Sequence, residues 1–277
     1  MSSEPLVTTL DNEQRARELE PEREQAIRFG RAFPFWAVFK RELRVYFRSP
    51  IAYAIAFALF FFVGWLFNAY LAQANGQYPA DGTYVPNLIT FLLFLIAPLI
   101  TMRLFAEESR EGTIEVLMTL PMGSSQVVLG KFFAAWLYYT AVLAVSLIYV
   151  AVLSAVGKPD MGAVAGAYFG AWLYGGAALA VSLVYSAITE DQIVAAFLSA
   201  ATLLVLYLAG MAASALSGQG NMPWLAEFVR EMGFQSHYDA TMAVGIIRVQ
   251  DILYFLILMV VSLFATTLIL ESRRWRS

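Results

Sequence analysis

The sequence lacks cysteine and has a single histidine, His237, among its 277 residues. Without cysteine the chain has no disulfide, no thiolate nucleophile and no cysteine-ligated metal. A single histidine also argues against a histidine-based metal site or proton relay. We therefore expect this chain to hold no metal and no cofactor of its own.

Charged residues are scarce as well. They make up 14% of the chain, against 60% hydrophobic residues and a mean hydropathy of +0.64, whereas a soluble domain carries about a quarter charged residues. So little charge indicates that lipid is the solvent for most of the chain. Because backbone polar groups in lipid must be satisfied internally, the sequence predicts an all-α integral membrane protein.

Apolar stretches of roughly the length that crosses a bilayer, about 20 residues, occur six times. We predict transmembrane helices at 51–71, 85–102, 132–156, 163–188, 193–216 and 252–270. The first 32 residues are polar, carry both charges and show neither an apolar run nor a signal peptide, so we expect a disordered acidic tail at 1–32 and one six-span domain at 33–277.

The topology follows from the positions of lysine and arginine, which are enriched on cytoplasmic flanks. If both termini are cytoplasmic, the inner flanks hold Lys40, Arg41, Arg44, Arg48, Arg103, Arg110, Lys131, Arg273, Arg274 and Arg276. The outer side then holds only Lys158, Arg230 and Arg248. The bias predicts cytoplasmic N- and C-termini.

An amphipathic helix is predicted at residues 35–49, before the first span. One arc of this helix would carry the apolar side chains of Phe35, Trp36, Phe39, Leu43, Tyr46 and Phe47. The next arc would carry the bases Lys40, Arg41, Arg44 and Arg48. Such segregation is typical of a helix lying in the membrane surface, although a simple positive-inside anchor is the alternative. Pro50 would then start the first span.

Short external helices are predicted between the fifth and sixth spans. Pro223 begins a stretch in which Trp224 and Phe228 share an apolar face. A second helix would begin at Ser236, with Asp239 in a capping-box-like position, and would carry Tyr238. These helices would form a lid or re-enter the outer leaflet.

The spans offer no reactive group. No Asp, Glu, Lys, Arg or His lies well inside them, which argues against an ion-driven transporter, a voltage sensor and an intramembrane protease. The nearest approach to a phosphate-binding loop places Ser125 at the first glycine position and Phe132 at the magnesium-binding hydroxyl position, so it fails. Gly130 and Lys131 fit a turn and a snorkelling base that open the third span. The chain therefore carries no catalytic residue, and any energy for movement must come from outside it.

The loop from Arg103 to Lys131 is the most informative segment. Arg103, Glu107, Glu111 and Glu115 recur at four-residue spacing and would share one helical face. Gly112 and Thr113 fit a break and a cap between two short helices. The loop is either a solvated segment with weak internal salt bridges, or a docking surface for a partner with a basic groove.

The small and hydroxyl residues of the fourth and fifth spans leave two interpretations open. Gly175, Ser182, Ser199 and Thr202 either line a path for cargo or pack closely against neighbouring helices.

The sequence resembles the type-2 ABC exporter permeases. The run Ala97–Pro121 followed by Gly130-Lys131-Phe132 carries most of the likeness. Phe39-Lys40-Arg41-Glu42-Leu43, Gly157-x-Pro159-Asp160 and Asp251-Ile-Leu-Tyr254-Phe255 add to it. Within that family the chain looks most like the gliding-motility-associated and copper-site-maturation permeases, over roughly residues 33–276.

The resemblance implies a six-span half-transporter in a prokaryotic inner membrane. It would pair with a second permease, as a homodimer or a heterodimer, and each permease would dock a cytosolic ABC ATPase that binds ATP and Mg. The resemblance places the ATPase contact on Glu107, Glu108, Arg110, Glu111, Gly112, Thr113 and Glu115, supported by Lys40, Arg41 and Arg44. The external helices would cap the exit of the translocation path.

Beyond its partner proteins the chain is expected to contact membrane lipid and no nucleic acid. The leading interpretation is an ATP-driven exporter. A non-transporting assembly component that transmits force to an extracytoplasmic partner is the alternative, and a membrane enzyme is a distant third.

Overall fold

The computed structural model describes residues 35–74, 81–112, 123–218 and 223–274, and every regular element in these ranges is helical. The helices are α1 (35–48), α2 (Pro50–Ala74), α3 (Tyr84–Thr101), α4 (Arg103–Arg110), α5 (Ser124–Val156), α6 (Met161–Ile188), α7 (Gln192–Gly218), α8 (Pro223–Met232), α9 (Phe234–Tyr238) and α10 (Val249–Arg274). A 3₁₀ turn at Met242–Val244 separates α9 from α10.

Six of these segments are long and apolar enough to cross a membrane, so the predicted fold class is confirmed. The first is α2, and the second combines α3 and α4. The remaining four are α5, α6, α7 and α10. The protein is thus a multi-pass membrane protein. The predicted tail at 1–32 lies outside the described residues.

Helix α6 lies at the centre of the bundle, because its small residues let neighbouring helices approach closely. A Cβ added at Gly175 would lie 2.1 Å from the ring of Tyr139, and one added at Gly176 would lie 2.9 Å from the ring of Trp136. Ser199 Oγ of α7 donates to the Ala195 carbonyl of its own helix at 2.6 Å and also lies 3.3 Å from the Ser182 carbonyl of α6. At these positions the small and hydroxyl residues pack against this chain's own helices, which favours the packing interpretation.

Helix α5 begins earlier than the hydropathy predicts. It starts at Ser124, so Gly130 and Lys131 lie within the helix and do not form a turn before it. Gly130 is buried because α1 crosses it, and an added Cβ would lie 3.0 Å from Val38. The interpretation of Lys131 as a snorkelling base is wrong, since its side chain is only 1% exposed.

Helix α1 forms as predicted, but its aromatic side chains do not all face outward. Trp36 and Phe47 are exposed, whereas Tyr46 is buried and its hydroxyl donates to the Ile100 carbonyl at 2.8 Å. Tyr46 also stacks on Tyr138 of α5. One side of α1 therefore packs on α3 and α5, and this contact takes Tyr46 out of the expected membrane-facing arc.

The elements between α7 and α10 differ from the prediction after the first helix. Helix α8 begins at Pro223 as expected, but α9 is already formed at Phe234, and Ser236 lies inside it, where its hydroxyl donates to the Arg230 carbonyl. Helix α9 ends at Tyr238, and after the 3₁₀ turn Gly245 adopts a left-handed φ of +85°. A Cβ at Gly245 would lie 2.7 Å from the Ala163 backbone, so close packing on α6 fixes this turn.

Candidate functional site

The site lies at the end of the bundle where α1, α4 and the start of α5 meet, called the α4 end below. Its centre is Lys131, whose Nζ lies 2.9 Å from both Glu42 Oε1 and Glu108 Oε1. The three side chains come from three helices, since Glu42 is on α1 and Glu108 is on α4. The Lys131 ammonium also lies 5.2 Å from the centre of the Phe105 ring.

Arg41 completes the arrangement. Its Nη2 lies 2.6 Å from Glu42 Oε1 and also contacts Glu108 Oε1. Arg41, Glu42, Glu108 and Lys131 form the α4 cluster, which pairs two cations with two carboxylates. The Lys131, Glu42 and Glu108 side chains are 1%, 8% and 15% exposed, so removing one partner would leave a poorly hydrated charge.

The pKa of Glu42 shows that neighbouring cations outweigh burial in the α4 cluster. Burial of the carboxyl raises its pKa, whereas the charge of Lys131 and hydrogen bonds from Arg41 and Lys131 lower it. The net result is a pKa below the ordinary range for glutamate. Glu42 is therefore ionised at neutral pH, and its ion pair with Lys131 joins α1 to α5.

Arg103 attaches the start of α4 to the junction of α1 and α2. Its Nη1 donates to Ser49 Oγ at 2.9 Å, and its guanidinium lies 5.1 Å from the centre of the Tyr46 ring. These contacts direct Arg103 toward α1. The helical face predicted from the spacing of Arg103, Glu107 and Glu111 is thus divided, with the arginine half-buried and the two carboxylates exposed.

A cleft of about 360 Å³ opens between α1 and α4. It is lined by Arg41, Glu42, Val45, Arg103, Leu104, Glu107, Glu108, Glu111 and Lys131. In the described part of the chain, no group of three or more His, Asp or Glu residues has the spacing of a metal site. This arrangement can bind a partner, because α4 presents exposed carboxylates on one side while ion pairs hold its other side.

The predicted contact residues occupy different positions in the structure. Glu107, Arg110 and Glu111 are exposed, whereas Glu108 lies within the α4 cluster. Gly112 follows the end of α4 with a left-handed φ of +70°, in keeping with the expected break. Thr113 and Glu115 lie outside the described residues.

The bases predicted on α1 fall into two groups. Lys40, Arg44 and Arg48 are exposed, but Arg41 belongs to the α4 cluster. At the opposite end of the bundle Trp224 and Phe228 are exposed on α8. Tyr238 differs from them, because it is 1% exposed and its hydroxyl donates to Asn87 Oδ1 at 2.8 Å.

Sequence reasoning missed the role of Glu42 and its pairing with Lys131. The two residues lie 89 positions apart, so no local spacing connects them. A signal did exist within α1: Val38, Glu42 and Tyr46 recur every four residues and form its buried side. An acid on that stripe requires a buried cation as its partner.

A second buried polar cluster was also missed, at the opposite end of the bundle. His237 Nδ1 lies 2.9 Å from Asp251 Oδ1, its Nε2 lies 3.1 Å from the Glu231 carbonyl, and its ring stacks on Tyr254 at 3.9 Å. Asp251 lies in the first turn of α10 and is 4% exposed. Lys131 and Asp251 each lie one residue before a predicted span, so the prediction of no ionisable group well inside the spans is not contradicted, but both residues are buried.

Comparison with known proteins identifies the relatives of this chain. The model of a family described as ABC-2 family transporter protein matches residues 40–190, which is more than half of the chain. The match spans α4, the α4 cluster and the whole of α6. The likeness to type-2 ABC permeases is thereby confirmed.

Individual relatives match over shorter segments. Probable ABC transporter permease protein NosY of Stutzerimonas stutzeri is 35% identical over 103 residues, which is 35% of this chain and 37% of the relative. Heme exporter protein B of Escherichia coli K12 is 32% identical over 103 residues, covering 37% of this chain and 46% of the relative. The chain thus spans less than half the length of these relatives.

Proposed function

The chain belongs to the ABC-2 family of transporter proteins, and from this membership we propose that it is the permease subunit of an ATP-driven exporter. A separate cytosolic ABC ATPase, which binds ATP and Mg, supplies the energy. The permease converts motion of that subunit into movement of a substrate across the membrane. Its contribution is mechanical, through rigid movement of helices against one another.

The attachment of α4 is the observation that supports this proposal. Glu107 and Glu111 face outward, while Glu108 on the same helix is held by Arg41 of α1 and Lys131 of α5. Arg273 of α10 reaches the far end of α4, where its Nη1 donates to Ser109 Oγ at 2.7 Å. A pull on the exposed side of α4 is therefore transmitted to α1, α5 and α10 together.

The α4 end faces the cytoplasm in this proposal, and both termini lie there. The exposed bases Lys40, Arg44 and Arg48 on α1 belong to the same end, as the positive-inside rule requires. The ATPase then contacts Glu107, Arg110 and Glu111 directly, and α1 flanks the contact. Helices α8 and α9 lie at the extracytoplasmic end.

A second permease, identical or related, completes the proposed exporter. Helix α2 leaves a stripe of aromatic side chains outside the bundle, since Phe57, Phe61 and Trp65 are 72%, 66% and 63% exposed. Such a stripe is satisfied by lipid or by a second membrane protein.

Charge reversal tests the docking site. The variant carries Glu107→Lys and Glu111→Lys, and the control carries Glu190→Lys and Glu227→Lys, an equal change in net charge at exposed positions. Each tagged full-length chain is purified from membranes of the organism that encodes it. A partner with the Gly-x-x-x-x-Gly-Lys-Ser/Thr loop is identified by mass spectrometry, and ATP hydrolysis by the complex is measured.

We expect the ATPase to remain with the parent and the control and to be lost from the double variant. Retention of the ATPase by the double variant, with unchanged hydrolysis, would contradict the docking assignment. A complex that hydrolyses ATP and releases an extracytoplasmic partner, with no solute crossing the membrane, would favour the assembly component over the exporter.

A further inference from the structure

The helical hydrogen-bond ladder of the second span is interrupted between α3 and α4, and a side chain from α6 enters the interruption. Ser186 is fully buried, and its Oγ accepts hydrogen bonds from the amides of Phe105 at 3.1 Å and Ala106 at 3.3 Å. The same hydroxyl donates to the Met102 carbonyl at 3.0 Å. A serine hydroxyl has one proton and two lone pairs, so this one is fully used.

These contacts fall at the point where the second span would otherwise continue without interruption. In a regular α-helix the Phe105 amide would bond to the Thr101 carbonyl, four residues before it. Here the amide donates to Ser186 Oγ, and α3 ends at Thr101 while α4 starts at Arg103. Insertion of a side chain into the hydrogen-bond ladder is a recognised cause of helix kinks.

The last turn of α6 holds the far end of α4 as well. Arg273 donates through Nη2 to the Ile188 carbonyl at 2.9 Å and through Nη1 to Ser109 Oγ at 2.7 Å. Helix α4 is thus joined to α6 directly near its start, and through Arg273 near its end.

We propose that Ser186 is the hinge residue of α4: its hydroxyl, inserted at Met102, sets the angle at which α4 leaves the second span. This inference rests on the proposed function for its consequence, because the angle determines how Glu107 and Glu111 are presented to the ATPase. Ser186 is a positioning residue, and it contacts neither the ATPase nor any cargo.

Removal of the hydroxyl lets the ladder close, so that α4 straightens onto α3. Helix α4 is eight residues long, which at about 1.5 Å per residue is roughly 12 Å. A change of about 20°, the lower limit of a sharp kink, moves its tip by roughly 4 Å.

Because the chain has no cysteine, a pair of spin labels can be placed without removing native residues. The labels are attached at Arg110→Cys, at the tip of α4, and Glu190→Cys, just after α6, both of which are exposed positions. Distances are measured by double electron–electron resonance on the permease alone in lipid nanodiscs. Ser186→Ala is compared with Ser182→Ala, one turn away on α6, whose buried hydroxyl has no hydrogen-bond partner among the described residues.

We expect the mean distance to shift by about 4 Å in Ser186→Ala and to stay at the parent value in Ser182→Ala. An unchanged distance in Ser186→Ala would overturn the hinge, as would an equal shift in both variants, which would indicate general loosening of α6. The measurement contains no ATPase, so it separates failure of the hinge from failure of the docking site.

Discussion

Replacement of Lys131 by methionine is the sharpest perturbation of the α4 cluster. Methionine keeps an unbranched side chain of similar length, so the change removes the charge and leaves little empty space. Glu42 and Glu108 would then share a buried site with Arg41 as the only cation of the original cluster. Each would lose a charge-assisted contact of 2.9 Å.

The expected loss is large for a single substitution. Breaking a buried ion pair by removal of one partner costs about 3–5 kcal/mol, because the remaining charge has no compensation. The Lys131 and Glu42 side chains are 1% and 8% exposed, so water replaces the lost contacts poorly. We therefore expect Lys131→Met to lower the free energy of unfolding by about 3 kcal/mol or more.

Unfolding of the purified chain in mixed micelles, by titration with a denaturing detergent, gives the assay. Lys40→Met on the exposed side of α1 is the matched control and should change stability by less than about 0.5 kcal/mol. Adding Glu42→Gln to Lys131→Met should recover part of the loss, since one uncompensated charge is removed. If Lys131→Met were as stable as Lys40→Met, the α4 cluster would not hold these helices together.

Three further outcomes follow from the contacts of buried groups. His237→Ala leaves Asp251 buried without its histidine partner, and we expect a loss of about 1–3 kcal/mol in the same unfolding assay; a loss below 0.5 kcal/mol would contradict it. Gly175→Val places a side chain against the ring of Tyr139, so we expect a lower yield of folded protein in size-exclusion chromatography. A normal yield would show that α6 does not pack as closely as described. Because the pKa of Glu42 is depressed on folding, its contribution to stability is complete above the ordinary glutamate pKa and is lost as the pH falls through the lower, folded-state value. Unfolding measured between pH 7 and pH 3 should therefore show an acid-dependent loss that is smaller in Glu42→Gln, and identical pH profiles would refute this.

The sequence was sufficient to predict the bundle, because each span carries its own signal. Hydropathy over about 20 residues needs no knowledge of the neighbouring helices. The same is true of the start of α8 at Pro223 and the break at Gly112, since proline and glycine act on their own backbone. These predictions depend only on residues close together in the sequence, and the structure agrees with them.

The candidate site was predictable only in part, because its contacts join distant positions. The spacing of Glu107 and Glu111 predicted a shared helical face and the resemblance predicted their contact with the ATPase; Glu107 is exposed on α4 and Glu111 directly after its end. The pairing of Glu42 with Lys131 and the insertion of Ser186 depend on how α1, α4 and α6 meet. The position of Lys131 was predicted wrongly for a related reason. Hydropathy does not show that α5 starts at Ser124, so Lys131, two turns inside the helix, was taken for a residue at its start.

Side-chain accessibility tests most directly whether α4 faces an ATPase in the cytoplasm. Single cysteines are introduced into this cysteine-free chain at Arg110 of α4 and at Glu227 of α8, and spheroplasts are treated with a membrane-impermeant maleimide. The proposal predicts that Glu227→Cys is labelled in intact spheroplasts, whereas Arg110→Cys is labelled only after the membrane is opened. Labelling of Arg110→Cys in intact spheroplasts would place α4 outside the cell, where no cytosolic ATPase could reach it.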